Sequence, residues 1–283
     1  MTLETGKFKD SPNSVFDHFL ITRFNIPFPY TDQSFTEESL RDRIVLFEQF
    51  CLPSVISQTN QNFKWIVMFD EQSPDFLMQR IETYKSFNNF IPVFSKQYTR
   101  RYTREVIAEH LSSGAEYLIT SRMDNDDAIS RNYIEIIQTH FDRQSLMAVN
   151  LLCGYRYKDH RIYADRFKSN PFISLIEKIE KPTSDGFKSV YCKMHYEIQS
   201  AVPTINLKVS PAWLMCIHDN NMANCLKGYR VPIQNLSGNF VLDEQILNHQ
   251  DNPIICYCQW PVEFFRAGLG WVRRKFRKLC HWK

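Results

Sequence analysis

Four short apolar runs alternate with segments of helical period through the first half of the chain, and this alternation limits the fold more than any other feature. The runs are FDHFLIT (16–22), FKWIVMFD (63–70), NFIPVF (89–94) and YLIT (117–120). Short apolar runs bounded by polar or Pro-containing segments read as strands buried on both faces of a sheet. Between the first two, Leu40, Ile44, Phe47 and Cys51 recur at helical spacing behind an S-x-x-E capping box from Ser34 to Glu37. Pro53 is expected to kink or restart that helix. Residues 76–87 and 104–111 read as further helices. Strand, helix, strand, helix, strand, helix, strand predicts an α/β fold with a parallel sheet.

The fourth run ends in acids. YLITSRMDNDD (117–127) places Asp124, Asp126 and Asp127 within four positions at the strand exit. In open α/β sheets the crevice beyond the carboxyl ends of the strands takes the ligand. Asp124 and Asp126 form a D-x-D, well placed for a hard divalent cation. Mg²⁺ and Mn²⁺ accept oxygen ligands, keep several waters and bridge to phosphate, so one or two of these acids plus a diphosphate would complete the shell. The plain alternative is an acidic turn, with Asp127 or Ser130 as N-cap of a helix carrying Tyr133, Ile134, Ile137 and Phe141.

Composition excludes other chemistries. With only eight glycines the chain has no Gly-rich phosphate loop and no G-x-x-x-x-G-K-[ST]. Phosphate must be held another way. A net charge of +3 is too mild to indicate nucleic acid, which is not expected as a partner. No apolar run approaches the roughly twenty residues of a membrane span. Eight cysteines without C-x-x-C pairs, and no signal peptide, fit a reduced cytoplasm. Cys256 and Cys258 are expected in a core strand rather than a zinc site.

In the second half, residues 146–152 read as a strand, and GYRYKDHRIYADRF (154–167) interleaves Tyr with Arg. That pattern suits sugar stacking, phosphate contact or an amphipathic strand. NPFISLIEKIE (170–180) is expected as a helix, with Pro171 at its start and Phe172, Leu175, Ile176 and Ile179 as its stripe. His195 follows SVYCKM, and His218 follows the apolar run AWLMCI.

LPSVISQTNQNFKWIVMFDEQSPD (52–75) resembles the opening of family 2 glycosyltransferases, in which a helix ending in Ser and a Gln-Thr pair lead into a strand closed by Asp and a Ser-x-Asp turn. Arg104 and YLITSRMDNDDAIS (117–130) match the Arg, strand and Asp-Asp segment of the same family. DHFLITRFN, SRMDNDD, NPFISLIE and WLMCIHDNN are most similar to a bacterial group named rhamnosyltransferases, over residues 16–225. The resemblance implies a GT-A fold. After a flexible residue 1–15 segment, a Rossmann-like nucleotide-binding half (16–127) would precede an acceptor half (128–259) around a mixed central sheet.

It further implies a site. Thr22, Arg23, Asn25, Asp70, Arg104, Arg122, Asp124 and Asn125 would surround the nucleotide sugar, and Asp124, Asp126 and His218 would hold Mn²⁺ or Mg²⁺. Asp70 could instead cap the turn at Ser73, Arg104 could be a helix surface residue, and His218 could be structural. Inverting transfer needs a carboxylate base, for which Glu177 ranks ahead of Asp243, with Asp185 a third candidate. The implied donor is a dTDP- or UDP-linked sugar and the acceptor a hydroxyl of a glycan or lipid-linked glycan, in cell-surface polysaccharide synthesis. Two other classes are compatible with a D-x-D: a nucleotidyltransferase, and a non-catalytic module on the same scaffold.

The tail, WPVEFFRAGLGWVRRKFRKLCHWK (260–283), reads as a basic amphipathic helix with tryptophans at both ends. An anionic membrane surface, on the inner face of the cytoplasmic membrane, is its expected partner; packing on the domain is the alternative.

Overall fold

The computed structural model describes residues 15–29, 35–218 and 226–258. Its first half runs β1 (Phe16–Arg23), α1 (Glu37–Leu46), α2 (Leu52–Ile56), β2 (Lys64–Asp70), α3 (Asp75–Tyr84), β3 (Phe90–Ser95), α4 (Arg100–Glu109) and β4 (Tyr117–Arg122). β1 lies between β2 and β4, and β2 pairs onward with β3, all parallel. The expected parallel sheet is therefore present. The second half contributes β5 (Ala128–Ile129), α5 (Tyr133–Gln138), β6 (Leu146–Leu151), β7 (Cys153–Lys158), β8 (Arg161–Arg166), β9 (Ser174–Lys178), α6 (His195–Ala201), β10 (Thr204–Leu207), β11 (Trp213–Cys216), β12 (Tyr229–Val231), α7 (Glu244–Leu247) and α8 (Pro253–Cys258).

The main sheet has the order β10-β6-β9-β4-β1-β2-β3. Only β9 runs against the rest, antiparallel to both β4 and β6. The other six strands thus present their carboxyl ends along one edge. A second sheet, ordered β12-β8-β7-β11-β5, stands beside it. It turns on Gly154, where a Cβ would lie 2.0 Å from the Trp213 indole.

Alternation along the strands divides the core in two, because successive side chains point to opposite faces. Leu20, Trp65, Val67, Phe69 and Ile119 pack with Leu40, Ile44, Phe47, Leu77 and Ile81. Phe19, Ile21, Ile66, Met68 and Leu118 pack on the other face with Val106, Ile107 and Ile198. Each face has its own helices, which is why these strands are mostly apolar.

Several elements depart from the sequence-based reading. NPFISLIE is not a helix: it contains β9, and Phe172, Ile173, Leu175 and Ile176 are all buried together with Ser174 and Glu177. Burial on both faces favours a central strand, and the residue spacing fits either period. Cys256 and Cys258 lie in α8, which Pro253 opens, rather than in a strand. The N-cap of α1 is Thr36, whose Oγ1 accepts from Ser39 N. Ser34 lies outside the described residues. Pro53 stands in the first turn of α2, where the helix restarts as expected, after a π-turn (Phe47–Cys51) that joins α2 to α1. The N-cap position of α5 is Asn132, without a side-chain cap, rather than Asp127 or Ser130.

Candidate active site

The carboxyl edge of the sheet gathers the exits of β1, β2 and β4. Asn25 ties the first two together: Asp70 N donates to its Oδ1 and its Nδ2 donates to Ser73 Oγ, each at 3.1 Å. Asp70 Oδ1 accepts from Gln72 N at 3.0 Å, so this carboxylate does cap the turn. Asn25 and Asp70 also line, with Phe35, Leu40 and Phe76, a cavity of about 350 Å³.

The three acids after β4 part ways. Asp127 is buried and turns inward, where its Oδ1 accepts from Cys216 N at 2.9 Å. Burial, then Asp126 and Asp124, push its pKa well up. Asp126 faces the crevice and bonds His218 Nε2 at 2.7 Å. Asp124 is the most open, with 38% of its side chain exposed, and has Arg122 at 3.5 Å and Arg23 at 3.7 Å. Burial opposes its charge, yet Arg122, Arg23 and His195 hold its pKa below the usual carboxylate value. Asn125 is buried beneath them: its Nδ2 donates to Phe24 O at 2.9 Å, and its Oδ1 accepts from Arg43 at 3.0 Å.

Three guanidinium groups surround these acids. Arg23 sits among Phe28 at 4.6 Å, Tyr98 at 5.1 Å and Tyr191 at 5.7 Å. Arg122 lies over Tyr191 at 5.2 Å, and Arg43 over Phe35 at 4.7 Å. Burial pulls the Arg23 pKa down but is outweighed by Tyr191, Asp124 and Tyr98, so it is raised. For Arg43 burial wins over Asp126 and Asp124, and the pKa falls. An arginine stays charged in either case. The Nε atoms of Arg23, Arg43 and Arg122 are all buried with no hydrogen-bond partner. Buried donors left without acceptors are costly, and three around one crevice point to an anionic ligand with several oxygens.

The structure therefore brings together Arg23, Arg122, Asp124, Asp126 and His218, with Asn25, Asp70 and Asn125 shaping the edge. It places five other candidates elsewhere. The Thr22 hydroxyl is buried and accepts from the Trp65 indole at 3.0 Å. Arg104 donates from Nε to Ser184 O at 2.7 Å. Glu177 pairs with Leu118 near the amino end of β4, and its carboxylate accepts from Lys188 N and Ser189 N, each at 2.7 Å. At about 3.3 Å per residue, nearly a whole strand separates it from Asp124. Asp243 caps α7 by accepting from Gln245 N at 2.8 Å. Asp185 is exposed on the loop after β9.

Arg43, Tyr98 and Tyr191 were not found from sequence. Arg43 lies in the helix read behind the capping box, but off its apolar stripe; Tyr98 belongs to a segment with no motif; Tyr191 lies in SVYCKM, which draws attention only to the histidine after it. That histidine, His195, lies at the start of α6 and bonds Ser169 O through Nδ1 at 2.7 Å. Burial and the Arg122 charge lower its pKa.

Asp124, Asp126 and His218 offer two carboxylates and an imidazole at one edge. Among the described residues no three His, Cys, Asp or Glu side chains converge as they stand to hold an ion. The donor set suits Mn²⁺ or Mg²⁺ when diphosphate oxygens join it, since these ions are commonly held by one or two carboxylates plus phosphate.

No curated protein matches the chain by sequence. Among solved structures it is similar to S. aureus TarS 1–349 in complex with UDP-GlcNAc, at 12% identity and TM-score 0.44, over 74% of this chain and 62% of that one. It thus spans about six tenths of the TarS fragment. It is also similar to HddC from Yersinia pseudotuberculosis, at 9% identity and TM-score 0.39 over 70% of this chain and 92% of that one. The inositol-1-phosphate CTP transferase from T. maritima follows, at 8% identity and TM-score 0.36 over 71% and 89%. Likenesses this distant carry no argument about activity. The family model described as "Putative rhamnosyl transferase" matches residues 31–230, well over half of the chain and including the whole acid cluster. The chain belongs to the rhamnosyl transferase family.

Proposed function

We propose that the protein is a metal-dependent glycosyltransferase of GT-A type. It moves a sugar, rhamnose in keeping with the family description, from a dTDP- or UDP-linked donor to a hydroxyl of a glycan or lipid-linked acceptor. The observation that carries this reading is the ring of Arg23, Arg43 and Arg122 around Asp124 and Asp126, with three buried N–H groups lacking acceptors. A diphosphate supplies the missing oxygens. In this reading the cavity beside Asn25 and Asp70 takes the nucleoside, and Arg23 and Arg122 hold the diphosphate. Their charge, fixed in a site of low dielectric, stabilises the negative charge that develops on the leaving group.

Mn²⁺ or Mg²⁺, held by Asp124 and Asp126 with His218 beside them, would add Lewis-acid stabilisation of the same oxygens. Tyr98 and Tyr191 confine the arginines by packing on their faces, which limits reorganisation when the donor binds. Transfer is expected to invert the anomeric centre, and NMR of freshly formed product checks this. The acid cluster with its arginines favours turnover over a silent binding module. Action at the cytoplasmic face of a membrane remains part of the proposal through residues 260–283.

The test is thermal-shift screening of UDP-, dTDP- and GDP-sugars with and without Mn²⁺, because a ligand of the native state raises its stability. One nucleotide should raise the midpoint in a metal-dependent way, and Asp124→Ala should remove the metal dependence while keeping the unliganded midpoint. No stabilisation by any nucleotide, with or without metal, would overturn the reading.

A further inference from the structure

The donor site leaves the β7–β8 hairpin unused. Arg166 ends β8, and with Lys168, Leu152 and Asn206 it lines a cavity of about 400 Å³. That volume lies within the range of about 300–1,000 Å³ usual for small-ligand sites. Leu152 follows β6 and Asn206 belongs to β10, and both strands run parallel to β4, so the cavity lies on the same sheet edge as Asp124.

Its wall is held by an asparagine network. Asn170 Nδ2 donates to Asn150 Oδ1 at 2.8 Å, to Leu151 O at 3.0 Å and to Phe167 O at 2.8 Å. Asn150 Nδ2 in turn donates to Lys168 O at 2.7 Å and to Asn206 Oδ1 at 2.9 Å. With its oxygen engaged, Asn206 has its NH₂ available to the cavity. Among the described residues no carboxylate pairs with Arg166 or Lys168, and none lines the cavity. The rim is therefore donor-only: a guanidinium, an ammonium and an amide over an apolar floor at Leu152.

Position completes the argument. His195 is anchored on Ser169 O, one residue from Lys168, and Gln199 of the same helix donates to Lys168 O. His195 also acts electrostatically on Asp124. Helix α6 thus anchors the segment that carries Lys168, and its first residue is coupled to the charge of the acid cluster. We infer that this cavity receives the acceptor, and that the acceptor is an anionic saccharide whose carboxylate or phosphate sits between Arg166 and Lys168. The inference rests on the glycosyltransferase reading and adds to it the class of acceptor. Two cations lining one cavity, with no carboxylate beside them among the described residues, favour an anion, and the forked arginine matches a carboxylate or phosphate. A neutral sugar gains no such charge-assisted bond.

The experiment is calorimetric titration of the full chain, saturated with UDP or dTDP and Mn²⁺ so that the donor site is filled. The probes are glucuronate, glucose 1-phosphate and glucose. At least one anionic sugar should bind about tenfold or more tighter than glucose. Preference for glucuronate over the phosphate, or the reverse, identifies which anion the site reads. The double variant Arg166→Gln, Lys168→Gln should lose that preference and keep nucleotide affinity. Equal or undetectable binding of all three probes, or a preference that survives the double variant, would overturn the inference. Nucleotide affinity is measured on the same samples. Its absence would sink the transfer reading, while the sugar preference and its loss in the variant still decide whether the cavity binds anionic saccharides.

Discussion

At Arg122 a side chain only 7% exposed faces Asp124 at 3.5 Å and has its Nε unpartnered. A charged donor in that state gains more from a phosphate oxygen than an exposed lysine would, because little hydration remains to be lost. Arg122→Gln is expected to weaken UDP or dTDP binding about ten- to hundredfold, the scale of a charged hydrogen bond. Isothermal titration measures it, and unchanged affinity would remove Arg122 from the diphosphate site. A second residue makes stability depend on pH on the acid side. Asn60 donates to Gln138 Oε1, so Gln138 Nε2 must donate to His18 Nδ1, and His18 Nε2–H then faces Ser121 Oγ at 2.8 Å. The imidazole is neutral, and burial lowers its pKa from 6.5 to about 3. Between those values the unfolded chain binds a proton that the native chain refuses. This contribution is therefore fully present above pH 6.5 and is lost as pH falls toward 3, with a slope approaching about 1.4 kcal/mol per pH unit. Urea unfolding at several pH values, compared with His18→Gln, should show the slope reduced in the variant.

At the scale of elements, β9 does more than fill a gap in the sheet. Glu177 reaches from it to the Lys188 and Ser189 amides, and Ser189 has φ 61°, a left-handed backbone that a non-glycine residue adopts under constraint. Val190 N donates to Thr120 Oγ1 on β4 at 2.8 Å, and the next residue is Tyr191, which packs on Arg23 and Arg122. The carboxylate thus secures the segment that carries the aromatic ring of the proposed donor site. Glu177→Gln replaces one acceptor by an amide donor facing a backbone N–H, at a cost of about 1–3 kcal/mol. Urea unfolding should register that loss, and nucleotide affinity should weaken modestly. Loss of about a hundredfold or more in turnover with unaltered stability would instead return Glu177 to the role of base. The preceding motif has a comparable structural side. Gln58 Nε2 donates to Ser54 O and Ser130 O, and its Oε1 accepts from Ile134 N, so the Gln-Thr pair braces the chain just after the acids.

For the whole molecule, the two sheets meet where β11 brings Cys216 to Asp127 and His218 to Asp126, so the second half of the chain completes a cluster begun by β4. Among the described residues no helix is long and apolar enough to cross a membrane. The basic amphipathic pattern of residues 260–283 lies outside the described residues, and its test is co-sedimentation with vesicles. The full chain should partition with anionic vesicles more than a chain ending at Gln259, since each nearby cation contributes on the order of 1 kcal/mol; equal partitioning would leave the tail without a membrane role. Much of the architecture was legible in sequence. β1, β2, β3 and β4 coincide closely with the apolar runs because a strand covered on both faces is apolar at most positions. Asp124 and Asp126 were legible for a related reason: strand exits form the ligand edge of a parallel sheet. Arg23 and Arg122 came from the family resemblance alone. The resemblance also carried Thr22, and position in a family pattern does not reveal that a hydroxyl is taken by an indole. β9 was hidden by spacing that fits two periods, and its place between β4 and β6 is a long-range pairing with no local signal. Arg43, Tyr98 and Tyr191 reach the site from α1, the segment before α4 and the loop before α6. Local periodicity and strand-exit chemistry, which act over a few residues, determined the sheet and its acids. Which side chains surround those acids, and which polar groups are consumed within the core, was decided only by packing between distant segments.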